Sequence, residues 1–207
     1  MDMSSRSYNV INNKIQNSRP IANSNQINLY FVKIVIKAQL NGISSLPYQL
    51  GLSKIAYQRL LFEINDANIV ALDNHWYKKA PIIQAERSKL LTELMNIRHE
   101  ERNDLITLLM NHRDKAQPLS NVVATMIATA CLSSSHLWKS LAFNERHELT
   151  DWINLNFPKL AIQNKQMRWK RFFYLQLCQQ GGDYICRAPS CSECNSFKEC
   201  FLPEPLQ

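Results

Sequence analysis

Glycine is scarce in this sequence, with 4 among 207 residues. A fold built on many tight turns needs more of it, because glycine supplies the left-handed backbone that such turns demand. Long apolar runs are missing as well. The most apolar stretch, residues 29–40, carries Lys33 and Lys37 and is too short to span a bilayer. Residues 1–20 are polar and rich in Asn and Ser, with none of the apolar core of a secretory leader. These absences predict a cytoplasmic protein with no membrane partner. Enzyme signatures are lacking too: there is no Walker-type glycine loop, no Gly-x-Gly-x-x-Gly, no His-Glu-x-x-His and no Gly-x-Ser-x-Gly. The expectation is a protein that binds or carries rather than catalyses.

What the chain does have is positive charge. Its formal charge is +7, with a pI near 9.2. Residues 1–100 hold 12 basic and 7 acidic side chains, a net of +5. A denser run follows later: Lys159, Lys165, Arg168, Lys170 and Arg171, with no acidic residue between them. Such a run suits an anionic partner, whether nucleic acid, an acidic protein face, an oxyanion or an anionic cluster. Its plainer reading is the solvated face of a helix.

Apolar periodicity predicts helices throughout, in an all-α single domain. Residues 1–26 read as a flexible polar arm, residues 27–182 as the helical domain and residues 183–207 as an irregular tail. Residues 29–40 predict a helix stopped by Gly42, with a strand as the alternative because residues 30–36 are β-branched and aromatic. Ser53 is positioned to cap a helix running to about Ile64, and Pro81 to sit in the first turn of a long one. Leu90, Leu91, Leu94 and Met95 form one apolar stripe; Leu105, Leu108 and Leu109 form another. The charged residues 98–104 between them either kink the helix or form its exposed face. Residues 120–131 are nearly free of charge and predict a buried helix. Asn144 precedes a helix over 145–155, and Pro158 ends it. The last helix spans 166–180, with Trp169, Phe173 and Leu177 at i, i+4 and i+8 and Gly181-Gly182 as its stop.

Cysteine carries the chemistry. Four of the 6 cysteines form the pattern Cys186-x4-Cys191-x2-Cys194-x5-Cys200. In a reducing compartment, clustered thiols point to metal before disulfide. Soft thiolates suit zinc, copper(I) or an iron–sulfur cluster. Structural zinc sites use two close pairs parted by a finger-like insert, whereas this loop has one close pair flanked by single cysteines. That uneven spacing is nearer to iron–sulfur ligation, with zinc and disulfides as alternatives. Arg187 and the basic run suit the negative charge of a thiolate-bound cluster. Cys178 reads as a buried thiol or a spare ligand. Cys131 and His136, five residues apart, read as a core thiol and a capping histidine, with a metal-transfer pair as the sharper alternative.

These residues resemble the NifQ family. The resemblance rests on Met167-Arg-Trp-Lys-Arg-Phe-Phe-Tyr174, Gln176-Leu-Cys178 and Tyr184-Ile-Cys186-Arg-Ala-Pro-Ser-Cys191-x2-Cys194-x5-Cys200-Phe201. Upstream it includes Leu46-Pro47 with Leu50-Gly51-Leu52, then Arg98-x-Glu100-Glu101-Arg102-x-Asp104-Leu105, then Leu108-Leu109-x-x-His112-Arg113. Ala130-Cys131, His136-Leu137-Trp138, Arg146-x-Glu148-Leu149 and Phe157-Pro158-x-Leu160-Ala161 complete it. The resemblance implies a molybdenum–iron–sulfur cluster held by Cys186, Cys191, Cys194 and Cys200. It implies delivery of molybdenum for the nitrogenase iron–molybdenum cofactor, with the assembly proteins NifE–NifN and NifH as partners. Asn156 departs from the family pattern, which has a histidine before Phe-Pro, and Gln179-Gln180 replaces an acidic position. Two other readings share the motif: an electron-transfer iron–sulfur protein, and a zinc-stabilised nucleic-acid-binding module that would use the basic run around Trp169.

Overall fold

The computed structural model describes residues 24–165 and 167–181, and every regular element within them is helical. Helix α1 spans Ser24–Leu40. Its Phe31, Val32, Val35 and Ile36 are all buried, a spacing of i, i+1, i+4 and i+5 that only a helix turns to one side, so the strand alternative falls away. The helix opens at Ser24, which takes residues 24–26 out of the arm read from the sequence. It closes as anticipated at Gly42. The Gly42 amide donates to Gln39 O and the Ile43 amide to Ala38 O, with Gly42 at φ +73. This is the paired closure that a left-handed glycine makes available after a helix.

Residues Tyr48–Gly51 then form a tight turn. Gln49, Leu50 and Gly51 are all left-handed, at φ 67, 60 and 80. Three such residues in succession are unfavourable for L side chains, so neighbouring contacts must hold them. Leu50 is fully buried, and Arg102 supplies the clamp. Its Nη2 donates to Gly51 O at 2.5 Å and its Nε to Thr129 Oγ1 at 2.9 Å. Thr129 in turn donates to Thr125 O at 2.7 Å.

Helix α2, Lys54–Ile64, is capped by Ser53 as expected, with Ser53 Oγ accepting from the Ala56 amide. Helix α3, Ala67–Lys79, begins at Asp66, whose carboxylate accepts from the amides of Asn68 and Ile69. Those backbone bonds, with Lys33 nearby, hold the Asp66 pKa below its ordinary value. Asp73 of α3 accepts from both Tyr48 and Tyr57 hydroxyls, at 3.1 and 2.9 Å. This ties the turn and α2 to α3.

Helix α4 is Ile82–Ile97 and α5 is His99–Asn111, parted at Arg98 with φ −103 and ψ 32. The charged stretch therefore marks a break. Arg98 and Glu101 turn inward, while His99, Glu100 and Asn103 are exposed. The two stripes behave differently: Leu105, Leu108 and Leu109 are buried, whereas α4 stays at the surface with Leu90 64% exposed.

Helix α6, Ser120–Cys131, is the buried helix its composition predicts, with Val123, Ala124 and the whole run from Met126 to Cys131 buried. It packs on α5 and on the Tyr48–Gly51 turn. The short α7, Leu137–Ser140, and α8, Arg146–Asn156, follow, with Glu145 and Glu148 forming a reciprocal capping box one residue beyond the expected Asn144. Pro158 opens a short α9, Pro158–Ala161. Helix α10, Trp169–Gly181, lies against α5. None of the helices among the described residues is long and apolar enough to cross a membrane.

The left-handed turn gives a sharp test. A Cβ at position 51 would fall inside van der Waals contact of Thr129 Oγ1. Gly51→Ala should lower unfolding stability by about 2–4 kcal/mol, combining backbone strain with overpacking. Urea denaturation followed by circular dichroism checks this, and an unchanged midpoint would show that the turn adapts freely.

Candidate metal centre

Cys186, Cys191, Cys194, Cys200 and Arg187 lie outside the described residues. Helix α10 is the element that leads to them, so its anchoring is the part of the site that the structure shows. Trp169, Phe172, Phe173 and Tyr174 are all buried, and Leu177 packs on the same core. Trp169 Nε1 donates to Thr150 Oγ1 at 2.9 Å. The aromatic residues of α10 thus fix one face of the helix, and Trp169 offers no open ring for stacking a base.

The polar contacts of α10 converge on the C-terminal end of α6. A helix leaves its last carbonyls without partners inside the helix, and in a buried place other donors must meet them. Lys170 Nζ donates to Ser133 O. Arg98 Nη1 donates to Leu132 O at 2.6 Å. The Tyr174 hydroxyl donates to Glu101 Oε1 and lies 3.4 Å from Cys131 O. Arg98 and Glu101 form a two-pronged pair, Nε to Oε2 at 2.7 Å and Nη2 to Oε1 at 2.5 Å, with side chains only 17% and 15% exposed. Such a pair in a half-buried place is held by planar geometry as well as charge. Burial, with Cys131 and Glu101 beside it, raises the Tyr174 pKa above the ordinary phenol value, which keeps its proton available for the carboxylate.

The basic run therefore divides. Lys170 donates to the Ser133 carbonyl just past the end of α6, which the sequence did not suggest. Lys165 and Arg171 are exposed, and Arg168 is half-buried. Arg98, Glu101 and Tyr174 were not singled out as a unit from the sequence. Their only local signal is the i, i+3 spacing of Arg98 and Glu101 on one helix face.

Cys131 and His136 are also placed. Cys131 is fully buried, and burial pushes its thiol up to about 12, outweighing the opposing field of Lys170 and Arg98. At neutral pH it is a thiol, and the thiolate is the form that ligates metal. His136 stands half-buried at the start of α7. No group of three or more His, Cys, Asp or Glu side chains suited to a metal ion occurs among the described residues. The core-thiol reading of Cys131 fits this environment better than the metal-transfer reading. Cys178 is half-buried on α10, one turn beyond Tyr174.

Asn156, where the resemblance leads one to expect a histidine, is part of the core. It is fully buried, and so is Asn28. The two amides pair reciprocally: Asn28 Nδ2 donates to Asn156 Oδ1 at 2.9 Å, and Asn156 Nδ2 to Asn28 Oδ1 at 2.8 Å. Asn156 Nδ2 also donates to Trp152 O at 2.9 Å, and Trp152 Nε1 to Asn28 Oδ1 at 2.8 Å. Both N–H groups and the oxygen of Asn156 are engaged in the core, as a packing role requires.

A family model described as NifQ matches residues 31–202 of this chain. The chain is 36% identical over 178 residues to the protein called Protein NifQ in Azotobacter vinelandii, covering 86% of this chain and 89% of that one. It is 35% identical over 162 residues to Protein NifQ of Klebsiella pneumoniae, covering 77% and 90%. A Protein NifQ homolog of Sinorhizobium fredii is 40% identical over 95 residues, which is 45% of this chain and 41% of that one. No solved structure matches this chain.

Two outcomes follow from the described residues. Asn156→Ala should destabilise the fold by about 2–4 kcal/mol, through lost buried hydrogen bonds and a cavity. The metal content of the protein that remains folded should be unchanged, and a fall in it at full stability would restore a metal-handling role. Secondly, Cys131 should resist iodoacetamide in native protein at pH 8 and react after unfolding. Peptide mass spectrometry reads this directly, and rapid native labelling would contradict the buried, protonated thiol.

Proposed function

The chain belongs to the NifQ family, and on that premise we propose that it serves nitrogen fixation as a carrier of a molybdenum–iron–sulfur cluster. In this reading it delivers molybdenum for assembly of the nitrogenase cofactor and catalyses no reaction of its own. The observation that carries the reading is the cysteine set. Cys186, Cys191, Cys194 and Cys200 all fall within the matched residues 31–202. Four thiolates in uneven spacing are a soft donor set, suited to iron and molybdenum in a sulfide environment.

The cluster is cargo in this scheme. The thiolates grip it, and the helical body presents the grip. Helix α10 supplies the platform, because Lys170 and Tyr174 tie its first two turns to the end of α6. Lys165 and Arg171 are exposed, and positive charge of this kind favours an anionic cluster or an acidic face on a receiving protein. NifE–NifN and NifH are the receiving partners in this proposal. A cargo protein needs a grip that can open, and a ligand set confined to one short segment can release its guest without unfolding the core.

The test is metal analysis of the protein isolated without oxygen, together with Cys191→Ser and Cys194→Ser variants. Iron and molybdenum should both accompany the unaltered chain. Each variant should lose most of both metals, because a hydroxyl is a poor ligand for soft metal sites. A chain that carries zinc alone, or variants with undiminished iron, would end the proposal. Cofactor synthesis in a reconstituted system should also depend on the loaded protein; indifference to it would reduce the protein to an electron carrier.

A further inference from the structure

Helix α4 presents an apolar seam to solvent. Ile83, Leu90 and Ile97 are 83%, 64% and 79% exposed. The half-buried Leu94 and the stem of Arg87 fill the gaps between them, so the five recur at alternating steps of four and three residues. That alternation sets them on one stripe, the pattern by which one helix lies along another. The core covers a different side of α4, where Ser88 is buried. The Arg87 guanidinium turns to Gly42 O at 2.6 Å, which leaves its aliphatic stem to the seam. Glu86 and Glu93, both exposed and one heptad apart, border the seam on the side away from the core.

The acidic border selects what can cover the seam. A second copy is disfavoured in either direction. Parallel pairing sets Arg87 against its counterpart, and antiparallel pairing brings Glu86 beside the Glu93 of the other chain. Residues 182–207 are a poor match as well, with four acidic and two basic side chains. Residues 1–23 have the opposite balance, with Arg6, Lys14 and Arg19 against Asp2 alone. They also hold a short seam of their own. Tyr8, Ile11 and Ile15 are spaced by three and four residues, and Lys14 flanks them on a helical projection. Reach permits the contact. Residues 16–23 extend over about 26 Å when drawn out. The 17 residues of α1 cover about 25 Å, and beyond its far end Arg87 of α4 grips Gly42 O.

We propose that residues 6–15 of this chain dock as an amphipathic helix along the exposed seam of α4. Tyr8, Ile11 and Ile15 meet the apolar stripe, and Lys14 faces the acidic border. Tethering holds the segment at an effective concentration of about 1 mM, so a contact too small to join separate molecules suffices within one chain. The arm thereby shields an apolar face that would otherwise invite association. This inference needs neither the cysteine tail nor its cargo.

Hydrogen exchange of the full chain, read by mass spectrometry, tests it. Amides of residues 8–15 should exchange at least about tenfold more slowly than in a free synthetic peptide of residues 5–17. Ile11→Asp with Ile15→Asp should return them to the free-peptide rate. Leu90→Glu should do the same from the other side of the contact, and both variants leave the core residues untouched. Glu86→Lys with Glu93→Lys should reduce the protection, and adding Lys14→Glu should restore part of it. Sedimentation should show a single chain throughout. Exchange of residues 8–15 at the free-peptide rate in the unaltered chain would overturn the proposal. Protection that survives Leu90→Glu would overturn it by placing the arm elsewhere. Protection that appears only as a dimer forms would assign the seam to a second copy and overturn it too.

Discussion

The carbonyl end of α6 is the point on which the rest of the molecule leans. This helix is buried along most of its length, so its last peptide oxygens cannot turn to solvent. The chain answers with donors drawn from far apart in sequence: Arg98, from the break before α5, to Leu132 O, and Lys170, from α10, to Ser133 O. Glu101 then balances Arg98 and receives the Tyr174 proton. One electrostatic requirement thus draws in both the break between α4 and α5 and one face of α10. Because α10 precedes the cysteine segment, the demand of a core helix for donors also sets the origin of the proposed metal grip.

Much of the helical frame was legible in the residues because local chemistry decided it. Gly42 and Ser53 mark helix ends through backbone freedom and capping, which act within a few residues. The charge-poor stretch that became α6 was equally plain. What escaped was long-range. Arg98 and Glu101 look like surface residues in a charged run, and nothing nearby announces that carbonyls thirty residues away need them. Asn28 and Asn156 are 128 residues apart, and no periodicity foretells that two amides will pair in the core. The stripe on α4 is only partly covered, with Leu91, Leu94 and Met95 half-buried and Leu90 exposed, because a pattern shows which face is apolar while packing decides how far it is covered.

The candidate site was read from spacing and softness of ligands, which are properties of sequence, and the structure informs it from its flank. Cys131 and Asn156 lie in the folded body, one as a buried thiol whose pKa burial raises and the other as half of an amide pair. Basic residues in one run divided by position: Lys170 faces the core while Lys165 and Arg171 face solvent. Place along the chain, and not charge, sorted them.

The contact between Gly51 and Thr129 has an evolutionary corollary. Thr129 both crowds the glycine and supplies the oxygen that Arg102 grips. Shrinking residue 129 to admit a larger residue at 51 would therefore strip the arginine of an acceptor. Neither position can drift first without a loss, so the accessible mutational route passes through a weakened intermediate. Gly51, Arg102 and Thr129 are expected to change as a linked trio or stay fixed together.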